Sequence, residues 1–219
     1  MSDHPTRDDV VPFADAVRTW FAISLQTFGG PGTLVQSDFQ GTSPALNRPW
    51  TPTFVLNGAK VSWGGWNTGA GATPASGNDA FTFSVDGPVP ADSTLSEAIA
   101  DNEFLTATVT PANPPLNLGG GELRFSTRRI GFHSPRSYAL FSSLDGFATA
   151  LYTSDPSVTK DNFDETEHVV TLPTTAAFNA VNAAVTFRIY AFGAQFSGHQ
   201  TSLTGFKLTE KNPLTVTSL

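Results

Sequence analysis

The chain has 219 residues and a mass of 23.2 kDa, a size typical of one domain with or without a short appendage. Charged residues make up 14% of it and there are 18 Phe, which argues against a coiled coil, a helical bundle or a charge-rich disordered tail. A net charge of −7 disfavours nucleic acid as a partner, the absence of cysteine excludes disulfides, and no apolar run is long enough to predict a membrane span.

Residues Pro12 to Phe28 have the periodicity of an amphipathic helix. Apolar side chains recur there at spacings of three and four, at Phe13, Val17, Trp20, Phe21, Leu25 and Phe28. The sequence Gly29-Gly30-Pro31 then predicts the end of the helix. We therefore expect a helical leader over residues 1–33, whose apolar stripe packs against its own domain, against a second subunit to form an oligomer, or against lipid.

The segment Thr27-Phe28-Gly29-Gly30-Pro31-Gly32, with the apolar run from Trp20 to Leu25 before it, has a recognisable form. Residues 13–35 resemble the start of chromate-transporter family proteins, in which the first membrane helix runs into a Phe-Gly-Gly-Pro turn. The later helices of that family and its second Pro-Gly-Pro turn are missing from this chain. The resemblance therefore implies no transport activity, and it leaves open a chimera that carries a non-functional fragment.

From Leu34 to about Thr209, short runs rich in Val, Thr, Phe and Tyr alternate with turn residues, which is typical of antiparallel strands. Ten strands are predicted: Leu34–Phe39, Thr53–Leu56, Lys60–Trp63, Ala80–Val85, Phe104–Thr110, Glu122–Thr127, Ser137–Ser142, Glu167–Leu172, Val185–Phe192 and Ser202–Leu208. With no helix-length pattern between them, they predict an all-β fold, a jelly-roll β-sandwich preceded by one N-terminal helix. The sandwich is expected over residues 34–210, followed by a tail over 211–219.

The run Val185–Phe192 shows the strand alternation most clearly. One face carries Val185, Phe187, Ile189 and Ala191, and the other carries Thr186, Arg188, Tyr190 and Phe192. Because alternate side chains of a strand point to opposite faces, the chain's many Phe residues are expected in the sandwich core rather than on a binding surface. The Phe residues predicted in the core are Phe81, Phe83, Phe125 and Phe187.

Seven segments carry a second resemblance that covers most of residues 34–209. They are Asp38–Gly41, Trp63–Trp66, Phe104–Pro111, Glu122–Arg129, Ser137–Phe147, Val185–Gly193 and Leu203–Leu208. In this order they resemble the jelly-roll domain of bacterial surface and secreted proteins of the PEP-CTERM-sorted kind, which is similar in topology to galactose-binding-like and carbohydrate-binding modules. The resemblance implies an extracellular or cell-surface β-sandwich, usually without known catalysis.

The sequence departs from this family in three respects. The chain contains no recognisable signal peptide, and no C-terminal anchor follows Leu208, so the export route stays open. The last strand reads Leu203-Thr204-Gly205-Phe206 where family members often carry an Asp-Asn pair. This difference weakens the calcium site that the resemblance would imply near that strand.

A catalytic or metal site has little support in the sequence. Glu165 and Glu167 would share one strand face, as the acid and nucleophile of a polysaccharide-active enzyme would need, but the full Glu-x-Asp-x-x-Glu pattern of jelly-roll glycosidases is absent. We therefore expect no enzyme and read this run as an acidic loop. Asp155, Asp161 and Asp164, with Glu165, could donate oxygens to a structural calcium ion, although their spacing matches no known calcium loop. No other cofactor is expected.

Sugar binding calls for aromatic platforms beside polar side chains, and two tryptophan segments are candidates. Trp63 and Trp66 flank two glycines and precede Asn67, while Trp50 lies between prolines. The alternative is that Trp63 packs into the core and Trp66 covers a sheet edge.

The adjacent residues Arg128 and Arg129, with His133 and Arg136 nearby, are candidates for binding an anionic sugar or carboxylate. The alternative is that these basic side chains form local ion pairs with the acidic surface.

Three functions remain open at this level. The first is a non-catalytic extracellular or cell-surface module that binds a ligand, with a polysaccharide or other glycan as the expected partner. The second is a structural subunit of a surface layer or filament, and the third is a polysaccharide-active enzyme. The jelly-roll resemblance and the Trp63–Trp66 segment favour the first.

Overall fold

The structure is a computed structural model that describes residues 32–39, 49–51, 55–75, 79–85, 94–154, 164–195 and 198–211. The predicted helix over residues 12–28 lies outside the described residues, as does the predicted tail except for Lys211. The leader, its proposed role in oligomerisation and its resemblance to transporters therefore stay predictions. The described residues belong to one compact unit that begins at Gly32. Thr33 was predicted to be the last residue of the leader, but in the structure it is the first residue of a strand.

In the described part of the chain, twelve strands form two antiparallel sheets. The seven-stranded sheet contains β1 (Thr33–Ser37), β2 (Val55–Leu56), β4 (Ala72–Ala75), β5 (Phe81–Val85), β7 (Glu122–Arg129), β10 (Thr166–Thr171) and β12 (His199–Thr209). The five-stranded sheet has the order β3 (Val61–Thr68), β6 (Phe104–Pro111), β11 (Val185–Phe192), β8 (Ser137–Ser142) and β9 (Tyr152–Thr153). The two sheets form a sandwich, which confirms the predicted jelly-roll fold class.

Strand β12 organises the larger sheet. Along one edge it pairs with β7, and along its other edge the first half pairs with β5 and the second half with β1. The register against β7 shifts between Leu203 and Gly205, which marks a β-bulge. The eleven residues of β12, near the end of the chain, thus pair with strands from its beginning and middle.

The core lies between the two sheets and follows the strand alternation. Leu105 and Val109 of β6 and Phe187 and Ile189 of β11 point inward and are at most 2% exposed. The predicted core phenylalanines are all buried, which confirms that prediction. Each such ring stabilises the fold by about 1.5–3 kcal/mol through removal of apolar surface from water.

Helices are few in the described part. They are α1 (Leu95–Asp101), α2 (Ala176–Asn179) and a 3₁₀ turn (Ser143–Asp145). None of them is long and apolar enough to cross a bilayer.

The expectation of no helix between strands is wrong at α1. Thr94 caps α1 by accepting the backbone N–H of Glu97, whose carboxylate accepts the N–H of Thr94 in return. The helix buries only Ala98, so it has no apolar stripe that a periodicity search would find. The structure also contains two short strands that the sequence did not predict, β4 and β9. The ten predicted strands are all present, with the predicted bounds at Ser137–Ser142 and Val185–Phe192 and with shifted ends elsewhere.

Candidate functional site

The three candidate tryptophans gather inside the sandwich. The ring of Trp66, on the smaller sheet, meets Phe206 of β12 edge-on, with centroids 4.9 Å apart. Trp63 lies 5.5 Å from Trp66 and 5.7 Å from Phe206 between ring centroids. Trp66 is fully buried, so the prediction that it offers an accessible sugar platform is wrong. The structure follows the alternative reading for Trp63, whose half-buried ring packs against the core.

A glycine bulge explains this outcome. Residues 63 and 66 would face opposite sides of a regular strand, but the register of β3 against β6 shifts between them. The bulge turns both indoles inward. Gly65 has φ +78°, and a Cβ there would stand 2.7 Å from the Trp50 carbonyl oxygen. Glycine is required because Trp50 bonds to Trp66 through N–H to carbonyl contacts in both directions.

Trp50 itself is half-buried rather than presented on a surface groove. Its ring lies 5.2 Å from that of Phe39 and 5.4 Å from that of Phe81, between centroids. It therefore closes the edge of the aromatic core at Trp66. Arg48, its predicted polar neighbour, lies outside the described residues.

The arginine pair is divided by the strand on which it lies. Arg128 is half-buried, whereas Arg129 is 1% exposed and donates a hydrogen bond to the Phe132 carbonyl oxygen of its own loop. Neighbouring residues of β7 point to opposite faces, so the two guanidinium groups cannot bind the same anion. The prediction that Arg128 and Arg129 bind an anionic sugar is wrong for Arg129, because burial removes its side chain from solvent. His133, close by, contacts Gln195 with Nδ1 and Oε1 2.5 Å apart.

The acidic candidates lie on the surface of the larger sheet. Glu165 and Glu167 are both exposed, and the Glu167 carboxylate accepts a hydrogen bond from Arg124 at 3.4 Å. Arg124 also donates to Glu122 at 2.8 Å, which raises the pKa of Arg124. The arrangement is that of a surface ion-pair network, with Gly205 and Lys207 lining a cavity of about 170 Å³ beside it.

Metal ligands are not grouped in the described part of the chain. No cluster of three or more His, Asp or Glu side chains with the spacing of a metal site occurs among those residues. Asp155 and Asp161 of the predicted calcium run lie outside them, so that prediction is untested.

An open polar surface lies instead on the outer face of the five-stranded sheet. The pairing register aligns Asn67 of β3 with Thr106 of β6, and Thr106 with Arg188 of β11. The next row pairs Thr108 with Thr186, whose hydroxyl oxygens lie 3.0 Å apart. We call this surface the polar face, and its residues are Gly64, Asn67, Thr106, Thr108, Thr186 and Arg188.

Gly64 keeps the floor of the polar face open. It lies on the exposed side of the bulge, and a Cβ at this position would come 3.2 Å from the Thr108 Cβ. The glycine therefore leaves Thr108 uncovered by the neighbouring strand. Asn67 is exposed, and its Oδ1 accepts a local hydrogen bond from the backbone N–H of Thr68 at 3.3 Å. Its amide nitrogen and much of its acceptor capacity face solvent.

Arg188 forms one side of the polar face between two aromatic rings. Its guanidinium carbon lies 3.8 Å from the centre of the Phe147 ring and 4.4 Å from that of Phe104. Such stacking holds a planar cation in place through the ring quadrupoles. Phe147 adopts φ +61°, a strained conformation for a bulky residue. Strained backbone of this kind persists where surrounding contacts impose it, and such positions cluster at functional sites.

The other half of this outer surface is apolar and covered. Phe104, Phe141 and Tyr190 form a second cluster with Ala139, and Ala98 of α1 closes it. Because α1 occupies this half, the open surface is confined to the half that carries threonine, asparagine and the edge of Arg188.

A buried polar cluster lies inside the sandwich, apart from the polar face. His168 is 1% exposed, and its ring nitrogens contact the Thr127 hydroxyl at 2.9 Å and the Tyr152 hydroxyl at 3.1 Å. Burial lowers the pKa of His168 from 6.5 to about 4, because the interior disfavours its charged form. Tyr138, 5.3 Å away between ring centroids, has its pKa raised by the same desolvation. This cluster is enclosed, so it is a structural element rather than a ligand site.

Several solved structures are similar to this chain over most of its length. The xylan-binding module CBM15 is similar with a TM-score of 0.46 and 14% identity, over 83% of this chain and 99% of that chain. The non-crystalline cellulose-specific module CBM28 has a TM-score of 0.42 and 10% identity, over 77% and 98%. The K3 cleaved adhesin domain of Lys-gingipain from Porphyromonas gingivalis has a TM-score of 0.40 and 17% identity, over 82% and 99%.

At such identities and scores these similarities carry no conclusion about this chain. No family model matches the chain, and no curated protein does. The resemblances to PEP-CTERM-sorted and chromate-transporter proteins find no counterpart among these matches and stay predictions.

The sequence already contained part of the signal for the polar face. Thr186 and Arg188 were assigned to one face of their strand, and Asn67 was a candidate ligand residue. What the sequence did not reveal is the register that brings Asn67, Thr106 and Arg188 into one row.

Proposed function

We propose that this protein is a non-catalytic carbohydrate-binding module that holds a polysaccharide chain across the polar face. The single observation that carries the proposal is the row from Asn67 through Thr106 to Arg188, exposed at Asn67 and half-buried at the other two residues, beside a covered apolar half. We also propose an extracellular or cell-surface site of action, as the jelly-roll resemblance implies.

The chemistry of the row suits sugar hydroxyls. A sugar hydroxyl both donates and accepts hydrogen bonds, and Asn and Thr side chains do the same, while Arg adds donors only. Three neighbouring strands span about 10 Å, which is close to the length of a disaccharide. The row therefore offers one or two polar contacts to each of two successive sugar rings.

None of the three tryptophans that the structure describes is exposed, which shapes the expected binding. Trp66 is buried and Phe147 already stacks on Arg188, so hydrogen bonds rather than ring stacking must supply most of the affinity. Each such hydrogen bond contributes about 0.5–1.5 kcal/mol net. We therefore expect weak binding to a single sugar and tighter binding to a chain that spans the row.

Asn67→Ala tests the proposal directly. The side-chain hydrogen bond of Asn67 is local, to the N–H of Thr68, so the substitution is expected to leave the thermal unfolding midpoint unchanged while lowering affinity about 3- to 10-fold. Calorimetric titration against soluble xylan, β-glucan, polygalacturonate and glucuronoxylan measures the affinity. Lys207→Ala, on the outer face of the other sheet, is the matched control and should bind as the wild type does. A wild-type protein that binds none of these polymers, or an Asn67→Ala variant that binds them unchanged, contradicts the proposal.

A further inference from the structure

We propose that the polar face selects acidic polysaccharides, because the guanidinium of Arg188 binds the carboxylate of a uronic acid residue. The inference rests on the proposed function and names the ligand class for the same face. It concerns the side chain of Arg188, which is stacked on two aromatic rings, whereas Arg124 on the other sheet is paired with carboxylates.

The guanidinium of Arg188 is fixed but poorly supplied with acceptors. Among the residues that the structure describes, no carboxylate lies within ion-pair distance of it, and its one hydrogen bond runs from Nη1 to the Tyr190 hydroxyl at 3.5 Å. An arginine has five N–H donors. Most of them are therefore left for solvent or for a ligand.

The two aromatic rings beside Arg188 limit the directions from which a ligand can approach its guanidinium. Phe147 and Phe104 lie near the guanidinium, at 3.8 and 4.4 Å from its central carbon, and partly exclude water from it. Because cation–π contacts engage the faces of a guanidinium, its N–H donors remain along its edge. A carboxylate is planar and accepts two parallel N–H bonds from such an edge, whereas one hydroxyl accepts from a single donor.

The charge balance of the site also favours a carboxylate. A half-buried cation without a counter-charge is compensated only in part by ring quadrupoles. Arg124, by contrast, already holds Glu122 and Glu167 on the other sheet. A uronic acid would supply an anion that none of the described residues supplies at Arg188.

Non-specific attraction of polyanions is a poor alternative. The chain carries a net charge of −7, which repels a polyanion at long range. Selection must then come from one positioned guanidinium, and a lysine in its place would keep the charge but lose the two parallel donors.

The test compares polymers that differ only in the carboxyl group. Polygalacturonate and glucuronoxylan are titrated into the wild-type protein, each beside its own carboxyl-reduced form, with dextran sulfate as the control for non-specific charge. We expect at least one acidic polymer to bind about tenfold or more tightly than its reduced form. This comparison uses the wild-type chain, so it does not depend on whether any variant folds.

Two variants then assign the preference to Arg188. Arg188→Gln should bind both forms of a polymer equally, and Arg188→Lys should keep only a small part of the preference. Lys207→Gln on the opposite sheet should keep all of it. Both arginine variants are checked for an unfolding transition like that of the wild type.

The outcomes separate the two proposals. Equal binding of acidic and reduced polymers, with both weakened by Asn67→Ala, overturns the acidic preference and leaves the carbohydrate-binding proposal standing. Dextran sulfate binding as tightly as the uronate polymers also overturns the preference, since it would reflect charge alone. Binding to no polymer at all overturns both proposals.

Discussion

The rings of Trp66 and Phe206 meet edge-on, 4.9 Å apart between centroids and nearly perpendicular at 89°. Trp66 belongs to the five-stranded sheet and Phe206 to the seven-stranded sheet, so the contact joins the two layers. Trp66 is also hydrogen-bonded through its backbone to Trp50 in both directions. Trp66 therefore joins the two sheets through its side chain and holds the segment around Trp50 through its backbone.

Trp66→Ala is expected to destabilise the fold by about 3–5 kcal/mol, the usual cost of removing a fully buried large aromatic side chain. Denaturant unfolding followed by circular dichroism measures the loss. Asn67→Ala, one residue away on the exposed side of the same strand, is the control and should stay within about 0.5 kcal/mol of the wild type. Equal stability of the two variants would contradict the interior position of Trp66.

Gly65→Ala is expected to destabilise the fold more than a left-handed backbone alone explains. Its Cβ would stand 2.7 Å from the Trp50 carbonyl oxygen and from the Thr51 methyl group, in addition to the strain of φ +78°. Gly146→Ala is the matched control, because Gly146 has φ +70° but no atom within 4 Å of the added Cβ. The control should cost about 1–2 kcal/mol, the strain of the conformation alone.

The excess loss in Gly65→Ala over Gly146→Ala measures the clash with the Trp50 segment. Thermal unfolding of both variants in one buffer gives the comparison. If Gly146→Ala proved the more damaging of the two, the close approach of Trp50 to the bulge would be refuted.

How far the sequence predicts this fold depends on how regular each strand is. In β11 the alternation is unbroken, and one face is fully buried, so the sequence separates Phe187 and Ile189 from Thr186 and Arg188 correctly. In β3 the two glycines create a bulge, which resets the alternation and reverses the side on which Trp66 lies. From the sequence alone, the Gly-Gly pair predicts a loop, because glycine is common in turns and loops.

The candidate site was predictable only in part, because its residues are far apart in the sequence. Asn67 and Arg188 lie in one row because β3 and β11 pair with opposite edges of β6. Nothing local to either residue encodes that register, since it is set by pairing between strands that are far apart in the sequence. The aromatic rings that hold Arg188 come from two further segments, at Phe104 and Phe147.

Phe147→Gly should separate stability from binding. The change relieves the strain of φ +61° while it removes one of the two rings that hold Arg188. The gain from relieved strain, about 1 kcal/mol, offsets much of the lost packing of this half-buried ring. We therefore expect an unfolding midpoint near that of the wild type and an affinity for the bound polymer several-fold lower, measured by calorimetric titration.

The control for Phe147→Gly is Phe132→Gly. Phe132 is a loop phenylalanine that is 65% exposed and lies on the β7–β8 connection rather than at Arg188. Its removal should leave affinity unchanged. Loss of affinity in both variants, or in neither, would argue against a role for the Phe147 ring in positioning Arg188.

His168 should make the fold sensitive to mild acid. The pKa of its imidazole is about 4 in the folded chain and 6.5 when exposed, so the unfolded state binds the proton first as pH falls. Its contribution to stability is complete above pH 6.5 and is lost progressively down to pH 4. The shift corresponds to a loss of about 3 kcal/mol over that interval.

Urea unfolding at a series of pH values between 7.5 and 4 measures this slope, and His168→Phe provides the comparison. The variant retains a ring stacked on Phe125, 4.6 Å away in the wild type, but cannot titrate. It should be less stable than the wild type near pH 7, because the Thr127 and Tyr152 hydroxyls lose their partner. Its stability should also fall less steeply below pH 6.5. Tyr152→Phe, which removes one contact and keeps the imidazole, should retain the wild-type slope, and identical slopes in the wild type and His168→Phe would show that His168 is not the group that titrates.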